Sequence, residues 1–261
     1  MYDVSNADGT VGKAMQVLDQ VASFRRPVRF SELLANSPFP KPTLYRLVQT
    51  LSNQGMLAFD PERQTYSVGI RVVRLAHSAW RYSSLVPVAR PYIEAVAAKV
   101  GEAVHLAQLD NGHVLFVDKC KATDHFETLA QAGKIAPGYC TGVGKAILAF
   151  MPEVEQNWAL DQQSYIAYTP FTLTDRAALV TELAQIKVDG VAYDREEHEQ
   201  GIISIACPIL SGQGRVVGAV SIATSTNRYT IENLEKQRPN LLKSTSLIGA
   251  EAELWQVPTW N

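Results

Sequence analysis

Two segments of this 261-residue sequence gather the residue types that do chemistry. One is Gly142-Val143-Gly144-Lys145, a glycine-rich turn entering a helix. Such a start leaves backbone amides unpaired beside the positive end of the helix dipole, and both favour a carboxylate or a phosphate. The nucleotide-binding form of this turn is excluded, because Tyr139 occupies its first glycine position and Ala146 stands where a serine or threonine is required. A carboxylate on the amides remains, with one competitor: Thr141 can cap the helix through its own hydroxyl.

The other segment is Asp194-Arg195-Glu196-Glu197-His198-Glu199, the densest charge cluster in the chain. Carboxylates beside a histidine can bind a metal or move protons. Neighbours in sequence meet at one point only where a helix or turn arranges them, and no second histidine follows at ligand spacing. The expectation is a solvated loop with Asp194 alone turned inward; a small-molecule enzyme built on this cluster is the alternative. His77, His105, His113 and His125 are scattered and read as structural. No serine sits in a G-x-S-x-G turn, and Cys120, Cys140 and Cys207 contain no C-x-x-C pair. No catalytic residue, metal or cofactor is assigned.

A third set of residues suits a larger partner. Pro40-Lys41-Pro42 opens a helix in which Leu44, Leu47, Val48 and Leu51 fall at i, i+3, i+4 and i+7 and form a core face. At about 100° per residue, Arg46, Gln49 and Asn53 point the other way, flanked by Thr43, Tyr45 and Thr50. A basic, hydroxyl-rich face followed by a β-hairpin suits reading of a DNA major groove by Arg46 and Gln49. Lys41 and, at the hairpin tip, Arg63 suit phosphates or the minor groove. Charge agrees: up to Ser83 ten Lys or Arg stand against six Asp or Glu, although the whole chain carries −2. Only the first third is expected to approach a polyanion.

The rest of the pattern supplies positions for these groups. Apolar residues make up 46% and charged residues 19%, which fits a globular chain rather than a disordered one. No apolar run reaches the roughly 20 residues of a membrane span, and the first residues lack a secretory pattern, so a cytoplasmic protein without membrane contact is expected. Helices at 10–24, near Leu33 and from Lys41, with Phe30-Ser31 as staple and N-cap of the second, then strands at 56–59 and 65–68, predict a winged helix-turn-helix over residues 1–68. A linker helix over 69–83 carries Ile70, Val73, His77 and Trp80 on one side and Val72, Leu75 and Ala79 on another. That double apolar surface predicts a dimer or a dimer of dimers. Residues 84–261 read as a mixed domain of five or six antiparallel strands interleaved with helices, closed by one long helix over 231–254, so the fold class is α+β.

Three blocks of sequence resemble the IclR-type transcriptional regulators over essentially the full chain. They are Lys41 to Leu51 with Gly55 and Tyr66-Ser67-Val68-Gly69; Pro137-Gly138-Tyr139-Cys140-Thr141-Gly142-Val143-Gly144-Lys145-Ala146; and Ala192 to Glu197 continuing through Gly201 to Pro208. The resemblance implies a double-stranded DNA operator contacted by Lys41, Thr43, Tyr45, Arg46, Gln49 and Arg63, and a GAF-like C-terminal domain that binds a small organic acid. It implies that the effector's acid group meets the amides of Gly144, Lys145 and Ala146, near Tyr139 and Thr141. Its distal end would meet Asp194, Ser204 and Ser221, with an ionised Asp194 favouring a hydroxyl or hydrated carbonyl. Ser204 stands where the family usually has cysteine, and Ala223 where some members have a second serine, so the pocket's donor pattern is its own.

Overall fold

The computed structural model describes residues 9–83, 85–120 and 128–252; His125 lies outside them. The chain divides into two compact units, Met1–Ala79 and Trp80–Asn261. The division falls inside the helix expected as a linker.

In the first unit, Gly9–Ser23 (α1), Val28–Arg29 (β1), Phe30–Ala35 (α2), Lys41–Asn53 (α3), Leu57–Asp60 (β2), Thr65–Val68 (β3) and Ile70–Ser83 (α4) follow in order. The three strands form an antiparallel sheet in the order β1-β3-β2. The expected face of α3 is buried: Leu44, Leu47, Val48 and Leu51 pack with Val17 and Val21 of α1, Leu33 of α2 and Tyr66 of β3. Gly55 ends α3 with φ +70°, and a Cβ on Gly69 would lie 2.2 Å from the Gly55 carbonyl oxygen. Only glycine lets the chain leaving the hairpin pass that close to the helix end. One local expectation is corrected. Helix α2 begins at Phe30 rather than after Ser31, and the Glu32 carboxylate accepts the Arg29 amide at 2.9 Å. Arg29 rather than Ser31 is thus the N-cap residue, and Glu32 at the third helical position holds its amide.

The second unit contains Val86–Val100 (α5), Ala103–Asp110 (β4), His113–Cys120 (β5), Ile135–Ala136 (β6), Gly142–Phe150 (α6), Glu153–Asp161 (α7), Arg176–Asp189 (α8), Ala192–Arg195 (β7), Ile202–Leu210 (β8), Val216–Ser225 (β9), Ile231–Glu235 (α9) and Arg238–Ala252 (α10). Six strands form one antiparallel sheet, β6-β5-β4-β9-β8-β7, with helices on both faces, the α+β arrangement expected. The long closing helix is corrected to two, because Pro239 has no amide to continue the backbone ladder across Lys236-Gln237. Among the described residues no helix is long and apolar enough to cross a membrane.

Strand alternation gives the sheet two unlike faces. Val104, Leu106, Ile203, Ile205, Cys207, Val220 and Ile222 point to the side packed with residues of α5 and α10. The opposite face carries small or polar residues in register. One row runs His105, Ser221, Ala206, Ala192; the next runs Ala103, Ala223, Ser204, Asp194. Alanine and serine leave room for α6 to lie close against β8 and β9, and a Cβ on Gly142 would stand 2.6 Å from Ser204 Oγ. The sheet's composition therefore sets where the start of α6 sits.

Candidate functional site

The first unit presents the polar face of α3. Tyr45, Arg46 and Thr50 are exposed, Thr43 and Gln49 half-buried, and Lys41 exposed at the first turn behind Pro40. Tyr45 is 55% exposed and meets the edge of Phe30 at 5.9 Å, so it is propped outward by the start of α2. Thr50 donates its hydroxyl to the Arg46 carbonyl at 2.9 Å, which removes that donor from outward use. At the wing tip, Asp60 Oδ1 accepts the amides of Glu62 and Arg63 at 2.9 and 3.0 Å, and Gln64 takes φ +54° to close the turn. This geometry holds the Arg63 side chain 78% exposed, 3.9 Å from the Asp60 carboxylate. Sequence reasoning gave no role to Arg29. It is exposed on β1 directly across from Thr65, beside the wing, and a two-residue strand is too short to show any periodicity.

In the second unit a cavity of about 40 Å³ opens where α6 begins over the polar sheet face. Thr141, Gly142 and Val143 form one wall; Asp194, Ser204 and Ser221 form another. The expected position on the helix is corrected, moving two residues toward its start. Thr141 Oγ1 accepts the Gly144 amide at 3.3 Å and the Thr141 carbonyl accepts the Lys145 amide at 2.9 Å, so those amides are taken. Gly142 and Val143 line the cavity, and their amides, the first two of the helix, have no partner among the described residues. The competing reading, capping by Thr141, and the open helix start are therefore both realised, on different amides. Ala146 lies in the apolar core, and Lys145 sends its side chain elsewhere. Tyr139 is also outside the cavity: its ring packs on Tyr165 and its hydroxyl donates to the Ile166 carbonyl at 2.6 Å, with burial pushing its pKa up to about 12.

The acidic loop is not the solvated loop expected. Asp194 and Glu197 are both buried, and Glu196 turns the chain with φ +63°. Lys145, itself 0% exposed, donates to Glu197 at 2.5 Å and to Glu182 of α8 at 2.8 Å, tying α6, α8 and the loop together. Thr172 holds the Glu197 carbonyl and Glu199 holds the Leu129 amide at 2.9 Å. The loop's carboxylates thus point in different directions, and among the described residues no group of three His, Cys, Asp or Glu is placed to hold a metal. Asp194 and Glu199 both line the cavity. Glu199 is held by the Leu129 amide, and neither forms an ion pair among the described residues, whereas Lys145 serves Glu182 and Glu197. Asp194 Oδ1 accepts the Glu197 amide at 2.8 Å. Burial, then the neighbouring Glu197, push its carboxyl up to about 7, so its surroundings work against the ionised Asp194 expected.

Sequence reasoning also missed the far wall. His105 is buried, with Nε2 3.4 Å from Thr128 Oγ1 and its ring against Phe116 at 5.6 Å. Burial, then Lys119, hold its pKa down to about 3, which keeps the imidazole neutral. His198 lines the cavity as well, its pKa lowered by burial and its ring beside Tyr168. A signal was present for His105: in Ala103-Val104-His105-Leu106-Ala107 it shares its face with two alanines, the same small-residue face as Ser204 and Ala206.

Known proteins agree with both halves of this picture. The family model for the IclR helix-turn-helix domain matches residues 10–61, and that for the bacterial transcriptional regulator IclR C-terminal region matches residues 77–250. The regulator XynR of Escherichia coli is 28% identical over 232 residues, which are 89% of this chain and 92% of XynR. The IclR structure from Thermotoga maritima superposes with a TM-score of 0.75 at 26% identity, covering 94% of this chain and 98% of that one. An IclR homologue from Microbacterium hydrocarbonoxydans, complexed with 4-hydroxybenzoate, gives a TM-score of 0.77 at 25% identity over 92% of this chain and 97% of its own. With a helix-turn-helix that presents a polar recognition face and a sensor domain matched over most of its length, this chain belongs to the IclR family of bacterial transcriptional regulators.

Proposed function

We propose that this protein works in the cytoplasm on operator DNA, and that a small organic acid in the α6 cavity modulates the binding. The observation that carries the effector half is a cavity lined both by Gly142 and Val143, whose amides at the helix start have no partner among the described residues, and by Ser204, Ser221 and Asp194. Amides and a helix start favour the acid group; hydroxyls and a carboxyl that can donate or accept suit a hydroxyl or carbonyl beyond it. The 40 Å³ volume suits a short acid, and anything as large as an aromatic acid needs the walls to move apart. A mobility-shift titration of operator DNA with such acids tests this. An operator affinity unchanged by every acid that binds the protein would refute the coupling.

The DNA half assigns base edges to Arg46 and Gln49, with Thr43 and Tyr45 on the flanks, and phosphates to Lys41 and Arg63. Lys41→Ala and Arg63→Ala should then each weaken binding to all sequences alike and reduce the slope of log affinity against log salt by about one. A change in sequence preference with an unaltered salt slope would reassign them to base contacts. Self-association follows from α4, where Ile70, Val73 and Leu75 are 80%, 60% and 48% exposed. Three large apolar side chains within six residues of one helix call for cover, and a second copy of α4 supplies it symmetrically, as a dimer or a dimer of dimers. Sedimentation at micromolar concentration should give no monomer; a stable monomer would remove α4 as the interface.

A further inference from the structure

The charges around the cavity do not balance. Lys145 on α6 is shared by Glu182 of α8 and Glu197 of the acidic loop, and Asp194 of β7 stands beside them with no cation of its own. Arg195 reaches Glu182 only at 3.7 Å from a half-exposed position. Glu199 is engaged with the Leu129 amide. Of the other titratable groups nearby, His105 on β4 is held neutral by burial, burial lowers the pKa of His198 in the loop, and burial keeps the Cys140 thiol protonated ahead of α6. Ser204, Ser221 and Thr141 carry no charge, and Lys119 of β5 is directed at Thr128 and the Ala130 carbonyl. One buried cation therefore already serves three carboxylates before any ligand arrives. A further anion held beside Asp194 in about 40 Å³, with Glu199 on the same lining, meets like charge at close range.

We infer that a carboxylate ligand enters this cavity together with one proton, which Asp194 holds. The inference rests on the carboxylate reading of the site. The protonated Asp194 keeps its bond from the Glu197 amide through Oδ1, with the His198 amide also beside the carboxyl, and gains a proton that it can donate toward the ligand. Because burial and Glu197 place its carboxyl at about 7 in the free protein, the proton is partly present at neutral pH and must be taken from solvent above it. The cell's pH then becomes part of the signal that the cavity reads.

Calorimetric titration of the full chain with acetate, glycolate and 4-hydroxybenzoate, all ionised above about pH 5.5, measures this directly. Repeating it in two buffers of different ionisation enthalpy counts protons. Affinity should be flat below about pH 6 and fall about tenfold per pH unit above pH 7, with close to one proton taken up at about pH 8 and close to none at about pH 5.5. Asp194→Asn keeps an acceptor for the Glu197 amide and a donor for the ligand, and should bind with little dependence on pH and without uptake. Binding with equal affinity and no uptake at both pH values overturns the proposal alone, and the count in the unsubstituted protein needs no variant. Uptake that persists in Asp194→Asn assigns the proton to another group and also overturns it. If none of the three acids binds at about pH 5.5, where the cavity is most receptive, the carboxylate reading itself fails and takes the proposal with it.

Discussion

Replacing Lys145 with methionine is expected to destabilise the C-terminal unit by about 3–5 kcal/mol, read as a lower urea midpoint or a fall in Tm of about 10 °C. The methionine stem fills nearly the same volume, so the loss is one of charge. Glu197 is left buried with no counter-ion, and Glu182 loses its nearest cation. One oxygen of Glu197 already lacks a partner among the described residues, so the loop has no spare donor to offer. Adding Glu197→Gln should recover much of the loss, because a neutral amide tolerates burial better than an unpaired carboxylate. A midpoint unmoved in Lys145→Met would show that the ion pairs contribute nothing net. The same cluster spans α6, α8 and the loop that carries Asp194, so the single variant should also blunt the response to ligand.

The Arg46→Ala, Gln49→Ala double variant is expected to reduce specific operator affinity by about 100-fold or more, since each good base contact is worth about 1–3 kcal/mol. Fold and stability should hardly change. Both side chains leave α3 on the side opposite Leu44, Leu47, Val48 and Leu51, so the core keeps every contact. Non-specific binding should persist, carried by Lys41, Arg63 and the unassigned Arg29. A competition assay against random duplex separates the two contributions. Undiminished discrimination in the double variant would place the base-reading residues elsewhere.

What the sequence made legible was whatever repeats along one element. The apolar spacing of Leu44, Leu47, Val48 and Leu51 fixed both the buried and the exposed face of α3 before any coordinates. Strand alternation likewise announced β4, β5, β8 and β9 close to their observed bounds. Two-residue β6 is too short for a period to show, and β7 overlaps the charged run from Asp194, where no apolar alternation marks a strand; neither was read from the sequence. The site was half legible for the same reason. Asp194, Ser204 and Ser221, named together from the sequence, line one cavity, but which amides stay free depends on Thr141 spending both its hydroxyl and its carbonyl on α6. Lys145 finds its partners 37 and 52 residues away, and no local pattern announces that. His105 was passed over because a lone histidine on a strand is usually structural; only the register beside Ser221 makes it part of a wall.

The two-faced sheet has a consequence for how this regulator can change. The side that holds the domain together is built of Val, Leu and Ile locked under α5 and α10, whereas the side that lines the cavity is mostly alanine and serine. Swapping Ala223 or Ser204 for another small residue alters the shape and donor count of the cavity without opening a void in the branched layer beneath. Ligand preference can therefore drift by single substitutions at almost constant stability, in small steps that leave the protein folded at each stage. A fold arranged this way is suited to giving rise to sensors for many different acids from one unchanging frame.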